Sequence, residues 1–157
     1  ELNSLSKSHN MAGWRVGMVA GHPEYLKSVL RFKSNMDSGQ FQPVQLAAVQ
    51  ALNLPAAWYQ SLNDMYRERQ KVAFRILESL DCVFNPQQQG MFVWAKISEN
   101  IKDGYELSDQ VLYKSNVFIT PGGIFGSAGN QYIRVSLCGS ITKFEEAIQR
   151  IEAQKAN

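Results

Sequence analysis

The sequence predicts an α+β fold in which a small, mostly antiparallel sheet is covered by helices. Two changes of period carry this reading. From Trp58 to Leu80 apolar residues recur every three or four positions, the spacing of an amphipathic helix. Beyond Leu80 the apolar residues recur every second position, the spacing of strands with one buried face. With 157 residues, 45% of them hydrophobic and 19% charged, the chain can build a core, so disorder is expected only at its ends.

Residues 1–20 cluster apolar groups around a polar middle, as in ELNSL and WRVGMVA, and predict two short strands joined by SKSHNMAG, with Lys7 at a strand end. Pro23 then opens a helix, since its missing N–H is one the first turn leaves unpaired anyway. Leu26, Val29 and Leu30 share one face of this helix, which should end near SNMDSGQ. A second helix is predicted from Pro43 to Leu52. Asn53-Leu54-Pro55 marks a stop and a new start, and the long connecting helix follows. Strands are predicted at 82–84, 91–97, 117–119 and 131–137, with a glutamine-rich turn containing Gly90 between the first two and a short helix near Leu107 to Tyr113. A last helix begins at Thr142. Glu145 would complete a capping box, and Phe144, Ala147, Ile148 and Ile151 would form its buried stripe.

Several functions are set aside by composition. The net charge is only +2, and the densest basic group, RERQK at 67–71, contains a glutamate and lies in a helical pattern, so no nucleic-acid partner is expected. Cys82 and Cys138 have no CxxC partner and no histidine at metal-ligand spacing, so reduced, buried thiols and no metal are expected. No apolar run is long enough to cross a bilayer and no charged-then-apolar leader opens the sequence, which predicts a cytoplasmic setting and no membrane partner. His9 and His22 read as structural or solvated, and Met11, Trp14 and Trp94 as packing residues. The glycines between 122 and 129 lack the Gly-Lys-Ser/Thr ending of a phosphate loop and read as a turn into a strand.

The chemistry concentrates in SLSKSHNMAGWRVG, residues 4–17. Ser4, Ser6 and Ser8 offer hydroxyls, Arg15 offers a planar fork of N–H groups suited to phosphate, and Gly13 and Gly17 let the backbone approach a ligand. Set among them, Lys7 is an amine beside a phosphate site. Desolvated and close to another cation, such an amine loses its proton readily and attacks carbonyls. A phosphate-bearing aldehyde calls on both features, which points to pyridoxal 5'-phosphate.

The segment resembles the Schiff-base segment of fold-type I pyridoxal-phosphate enzymes, the class I/II aminotransferases related to aspartate aminotransferase. Their pattern S-x-S-K-[ST]-x-N-M-A-G-W-R-x-G implies that Lys7 links the cofactor, that Arg15 clasps its phosphate, and that Ser4, with Ser6 as the nearby alternative, supplies a phosphate-side hydroxyl. PGGIFGSAGNQYIRVSL, from Pro121 to Leu137, is similar to a second segment of that family and implies that Arg134 grips the substrate's α-carboxylate. Alternation along the strand agrees, since Tyr132, Arg134 and Ser136 share one face and Ile133, Val135 and Leu137 the other. A guanidinium on a rigid strand can hold a carboxylate through two parallel hydrogen bonds.

The resemblance covers only the carboxyl-terminal part of such an enzyme. It implies that residues 1–54 are a remnant of the large cofactor-binding domain and that 55–157, connecting helix included, form the small carboxyl-terminal domain of the type I fold. The cofactor cup, the ring-stacking aromatic residue and the aspartate at the pyridinium nitrogen have no counterpart here. The implied parent is a homodimeric aminotransferase moving an amino group between an amino acid and a 2-oxo acid, and the chain alone is expected to be inactive. The same motifs leave open a pyridoxal-phosphate lyase or decarboxylase, or an aminotransferase-like ligand-sensing domain of a regulator. The helices at 23–34 and 43–52, patterned to cover a sheet mostly not encoded here, are expected to leave an apolar flank.

Overall fold

A computed structural model describes residues 1–155; of the region 55–157 assigned above to one domain, residues 156 and 157 lie outside the described residues. The chain forms two compact units, Glu1–Tyr59 and Gln60–Asn157.

In the first unit, β1 (Leu2–Ser4) runs antiparallel to β2 (Gly17–Val19), with Leu2 opposite Val19 and Ser4 opposite Gly17. Lys7 was expected at a strand end, but it lies inside a four-residue helix, α1 (Leu5–Ser8). The reason is local: the Ser4 hydroxyl accepts the Ser6 N–H at 3.1 Å and so turns the chain into a helix at the last residue of the strand. A 3₁₀ turn over Ala12–Trp14 leads back to β2. Next comes α2 (Pro23–Met36), where the proline occupies the first turn and the His22 ring accepts the Glu24 N–H, a capping role for one of the two histidines. The following helix is α3 (Gln42–Leu52).

The unit's core is small. Met11, Val16 and Ala51 are buried, with Leu5, Val44, Ala47 and Ala48 packed against them. No residue of α2 is buried, and Leu30, Phe32 and Met36 are 66–70% exposed. The apolar flank expected from the pattern is therefore present, and it extends to Leu46, Val49 and Leu52 of α3.

The long helix α4 (Ala56–Ser79) begins in the first unit and continues into the second. There β3 (Val83–Phe84), β4 (Phe92–Lys96), β5 (Thr120–Pro121) and β6 (Tyr132–Ser136) form a sheet in the order β3-β4-β6-β5, every neighbouring pair antiparallel. Helices α5 (Gly104–Ser115) and α6 (Ile141–Lys155) complete the unit. Val93, Ala95, Ile133 and Val135 of the sheet pack with Ile76 and Leu77 of α4, Leu107 and Val111 of α5, and Ile148 and Ile151 of α6 in one core. Each fully buried aliphatic side chain there contributes about 1.5–3 kcal/mol.

Three boundaries differ from the sequence reading. The strand predicted at 117–119 forms at Thr120–Pro121 instead, because Asn116 closes α5 in the left-handed region (φ 54°) and the Ile119 carbonyl is taken by the Ser108 hydroxyl at 2.5 Å. Helix α5 starts earlier than Leu107: Asp103 accepts the Glu106 N–H at 2.9 Å while Glu106 accepts the Lys102 N–H at 3.0 Å. Helix α6 is capped by Ser140, whose hydroxyl accepts the Lys143 N–H at 3.3 Å, and not by Thr142; Glu145 turns instead to Arg75 on α4 at 2.7 Å.

The two thiols also part company. Cys82 is buried as expected, whereas Cys138 is exposed. Burial first, and then the negative charge of Asp81, pushes the Cys82 thiol up to about 11 from an ordinary value near 9. A raised folded-state value favours the neutral thiol, so the stability it brings is complete below about pH 9 and is lost as pH rises through 11. With a thiol reagent at pH 8, one cysteine should react quickly in the folded chain and two after unfolding. Urea midpoints should fall less steeply between pH 9 and 11 in Cys82→Ala than in the natural chain.

Candidate active site

The first unit gathers Ser4, Ser6, Lys7 and Arg15 on one hairpin. The Ser4 hydroxyl donates to the Ser6 Oγ at 2.8 Å and lies 3.4 Å from the Val16 carbonyl, so both serines sit at the start of α1. Lys7, one residue on, is exposed, and among the described residues its Nζ has no hydrogen bond or ion pair. Arg15 takes a left-handed conformation (φ 52°), which costs a residue with a Cβ about 1–2 kcal/mol. Its Nη1 donates to the Ala12 carbonyl at 3.0 Å, and its remaining N–H groups are open. Residues 4–17 contain no acidic side chain, so the set of hydroxyls, amine and guanidinium is uniformly suited to an anion.

Gly17 is required by geometry. A Cβ at this position would stand 2.6 Å from the Asn3 carbonyl oxygen, a backbone atom that cannot move aside while β1 and β2 stay paired. Gly13, by contrast, has nothing within 4 Å of an added Cβ. His9, expected to be structural or solvated, is structural. Its Nε2 is 2.9 Å from the Tyr59 hydroxyl, its Nδ1 is 2.8 Å from the Ser8 hydroxyl, and its ring stacks on Trp58 at 5.6 Å. The segment after Lys7 is thereby tied to the start of α4.

The second unit presents Arg134. It lies on β6 opposite Trp94 of β4 and Thr120 of β5, on the sheet face away from the buried Ile133 and Val135. The Nε of Arg134 is buried and has no hydrogen-bond partner. No carboxylate among the described residues pairs with this guanidinium. Instead its central carbon lies over two rings, 4.2 Å from the centroid of Phe92 and 4.3 Å from that of Phe125. Trp94 stacks on Tyr132 at 5.6 Å and tilts against Phe125 at 5.8 Å, so packing and site contact coincide in this residue. Phe92 and Phe125 escaped the sequence reading because alternation assigns a face but not the neighbour across the strand. The aromatic residues in MFVW and IFG, close to a motif arginine, were the available signal.

The family described as aminotransferase class I and II matches residues 1–151. The chain belongs to that family. It is 39% identical over 154 residues to the LL-diaminopimelate aminotransferase of Oleidesulfovibrio alaskensis, covering 96% of this chain and 39% of that protein. It is 36% identical over 155 residues to the LL-diaminopimelate aminotransferase of Aquifex aeolicus, covering 99% and 40%. The solved structure of an aromatic aminotransferase from Pyrococcus horikoshii superposes with a TM-score of 0.87 at 26% identity, over 97% of this chain and 41% of that one. The chain thus spans about two fifths of the length of the relatives it matches.

The glycine geometry supplies a test of the hairpin. Gly17→Ala should cost about 1–3 kcal/mol by overpacking, whereas Gly13→Ala, facing open space, should stay within about 0.5 kcal/mol. Urea unfolding followed through tryptophan fluorescence measures both.

Proposed function

We propose that this chain is the carboxyl-terminal part of a pyridoxal-phosphate-dependent aminotransferase that moves an amino group between an amino acid and a 2-oxo acid. Residues 1–54 then belong to its large domain and 55–157 to its small one. The observation that carries the reading is the buried, unpartnered Nε of Arg134: a guanidinium held in place with donors unspent is a receptor for a carboxylate. The donor set of residues 4–17 fits the cofactor, since two hydroxyls and a guanidinium suit a phosphate and an exposed amine suits an aldehyde.

When bound, pyridoxal 5'-phosphate supplies an aldehyde carbon for the amine and a ring that draws off negative charge from Cα. Ser4, Ser6 and Arg15 anchor the phosphate. With the cofactor bound, Lys7 would hold it through its Nζ, and as a free amine would take the proton from the substrate's Cα as general base and return one as general acid. Arg134 binds and orients the α-carboxylate. The open environment of Lys7 in this chain supports the expectation that the chain alone does not turn over, because the desolvation that activates such an amine is not supplied by the described residues.

The names of the relatives make LL-diaminopimelate the first amino acid to assay and support the reading that the complete protein serves amino-acid biosynthesis. The reading also takes the complete protein to be a cytoplasmic homodimer acting without nucleic acid or membrane. Among the described residues no helix is long and apolar enough to cross a membrane.

Borohydride reduction of the complete protein in the presence of pyridoxal phosphate should place the label on Lys7. Lys7→Ala should lower transamination by several orders of magnitude, and Arg134→Lys should raise KM for the amino acid. A label on another lysine, or undiminished turnover in Lys7→Ala, overturns the assignment.

A further inference from the structure

The rings beside Arg134 answer a chemical difficulty. A receptor for a carboxylate needs a cation that is fixed in position and whose N–H groups remain unengaged. A side chain of Asp or Glu would fix the cation but occupy those N–H groups and cancel the charge. A ring face does otherwise: its quadrupole attracts the cation from above the plane and accepts none of the in-plane hydrogen bonds. This is the arrangement around Arg134, whose central carbon lies 4.2 Å and 4.3 Å from the Phe92 and Phe125 centroids while its buried Nε stays unpartnered.

We propose that Phe92 and Phe125 are positioning residues for substrate binding: their ring faces hold the Arg134 guanidinium and leave its donors for the α-carboxylate. The inference rests on the proposed role of Arg134. The two rings are held differently. Phe92 is part of β4, half-buried and two residues from Trp94, the cross-strand partner of Arg134. Phe125 ends a 3₁₀ turn over Gly122–Phe125, immediately before Gly126, which adopts a φ of 126° that only glycine takes readily. Phe125 is 53% exposed, so its replacement leaves the core intact and reports on the guanidinium contact more cleanly. Because the contact is made by π electrons and not by bulk, Leu and Tyr should act differently at this position: Leu keeps apolar volume without the quadrupole, and Tyr keeps the quadrupole.

The test is steady-state kinetics of the complete protein with its amino-acid substrate, alongside Arg134→Lys. Phe125→Leu should raise KM by about fivefold, the loss falling on KM more than on kcat, and Phe125→Tyr should restore KM to near the natural value. Pentafluorophenylalanine at 125, which keeps the ring's shape and reverses its quadrupole, should behave like leucine. Phe92→Leu should shift KM in the same direction. If Arg134→Lys raises KM while the leucine, tyrosine and fluorinated variants at 125 share the natural KM, the positioning role is overturned and the carboxylate reading stands. If Arg134→Lys leaves KM unchanged, the carboxylate reading itself fails and takes the inference with it.

Discussion

A guanidinium drawn partly out of water has to be stabilised by something other than water, and in the second unit that partner is aromatic. Leaving a charge buried without compensation costs several kcal/mol. Each ring contact with Arg134 recovers about 0.5–2 kcal/mol, so the rings cover only part of that cost. The remainder is carried by the opposite face of the same sheet, where Val93, Ala95, Ile133 and Val135 are buried in the core with Leu77 and Ile148. Strand alternation links the two: Ile133 and Val135 enter the core, and the residue between them must emerge on the other face. The fold stabilises itself through one face and presents an incompletely satisfied cation on the other.

The first unit is organised on the opposite terms. Its chemistry-bearing residues lie in a tight polar hairpin, and Asn10 and Arg15 occupy the left-handed region at positive φ. Such conformations persist only where the surroundings enforce them. Here the enforcement consists of three buried side chains, the exchange of hydrogen bonds between Glu1 and Ala20, at 2.6 and 2.9 Å, and the His9 contacts with Ser8, Trp58 and Tyr59. That is little for 59 residues, and α2 leaves its apolar residues in water. A helix with Leu30, Phe32 and Met36 so exposed is patterned for burial it does not obtain from the described residues. The proposed reading accounts for this, since it assigns these helices to a larger domain of which residues 1–54 are a part.

Much of this was legible in the sequence, and the limits follow from physics. The periods of α4 and of β4 and β6 were read correctly because burial of one face repeats along a regular element. Arg134 was placed on its proper face by alternation alone. The capping of α5 by Asp103 and Glu106 was available as a D-x-x-E pattern but is weaker than the apolar stripe, so the helix was read short. At α6 the pattern misled: Thr142 and Glu145 have the spacing of a capping box, yet Ser140 is the cap, because a cross-helix ion pair to Arg75 draws Glu145 away. The position of Lys7 in α1 turned on a single hydrogen bond, accepted by the Ser4 side chain from the Ser6 N–H, and no periodicity can reveal one bond.

The residues hardest to read are those that support the site from a distance. The Gln88 side chain accepts the Trp94 N–H at 2.8 Å and donates to the Trp94 carbonyl at 3.1 Å, doing with an amide what β3 would do if it continued past Phe84. Gln70 of α4 in turn donates to the Gln88 carbonyl at 2.8 Å. Trp94, fixed in this way, packs against Tyr132 and Phe125, and Phe125 contacts Arg134. Gly122 fits beside the backbone and the indole alike, since a Cβ there would come within 2.5 Å of the Gly129 carbonyl oxygen, 2.8 Å of that of Tyr132 and 2.9 Å of Trp94 Cη2. The path from a glutamine-rich turn to the Arg134 guanidinium therefore runs through residues whose types are unremarkable one at a time. Turns have no period to betray them, so a supporting glutamine in one can be recognised only once the strand it completes is in view.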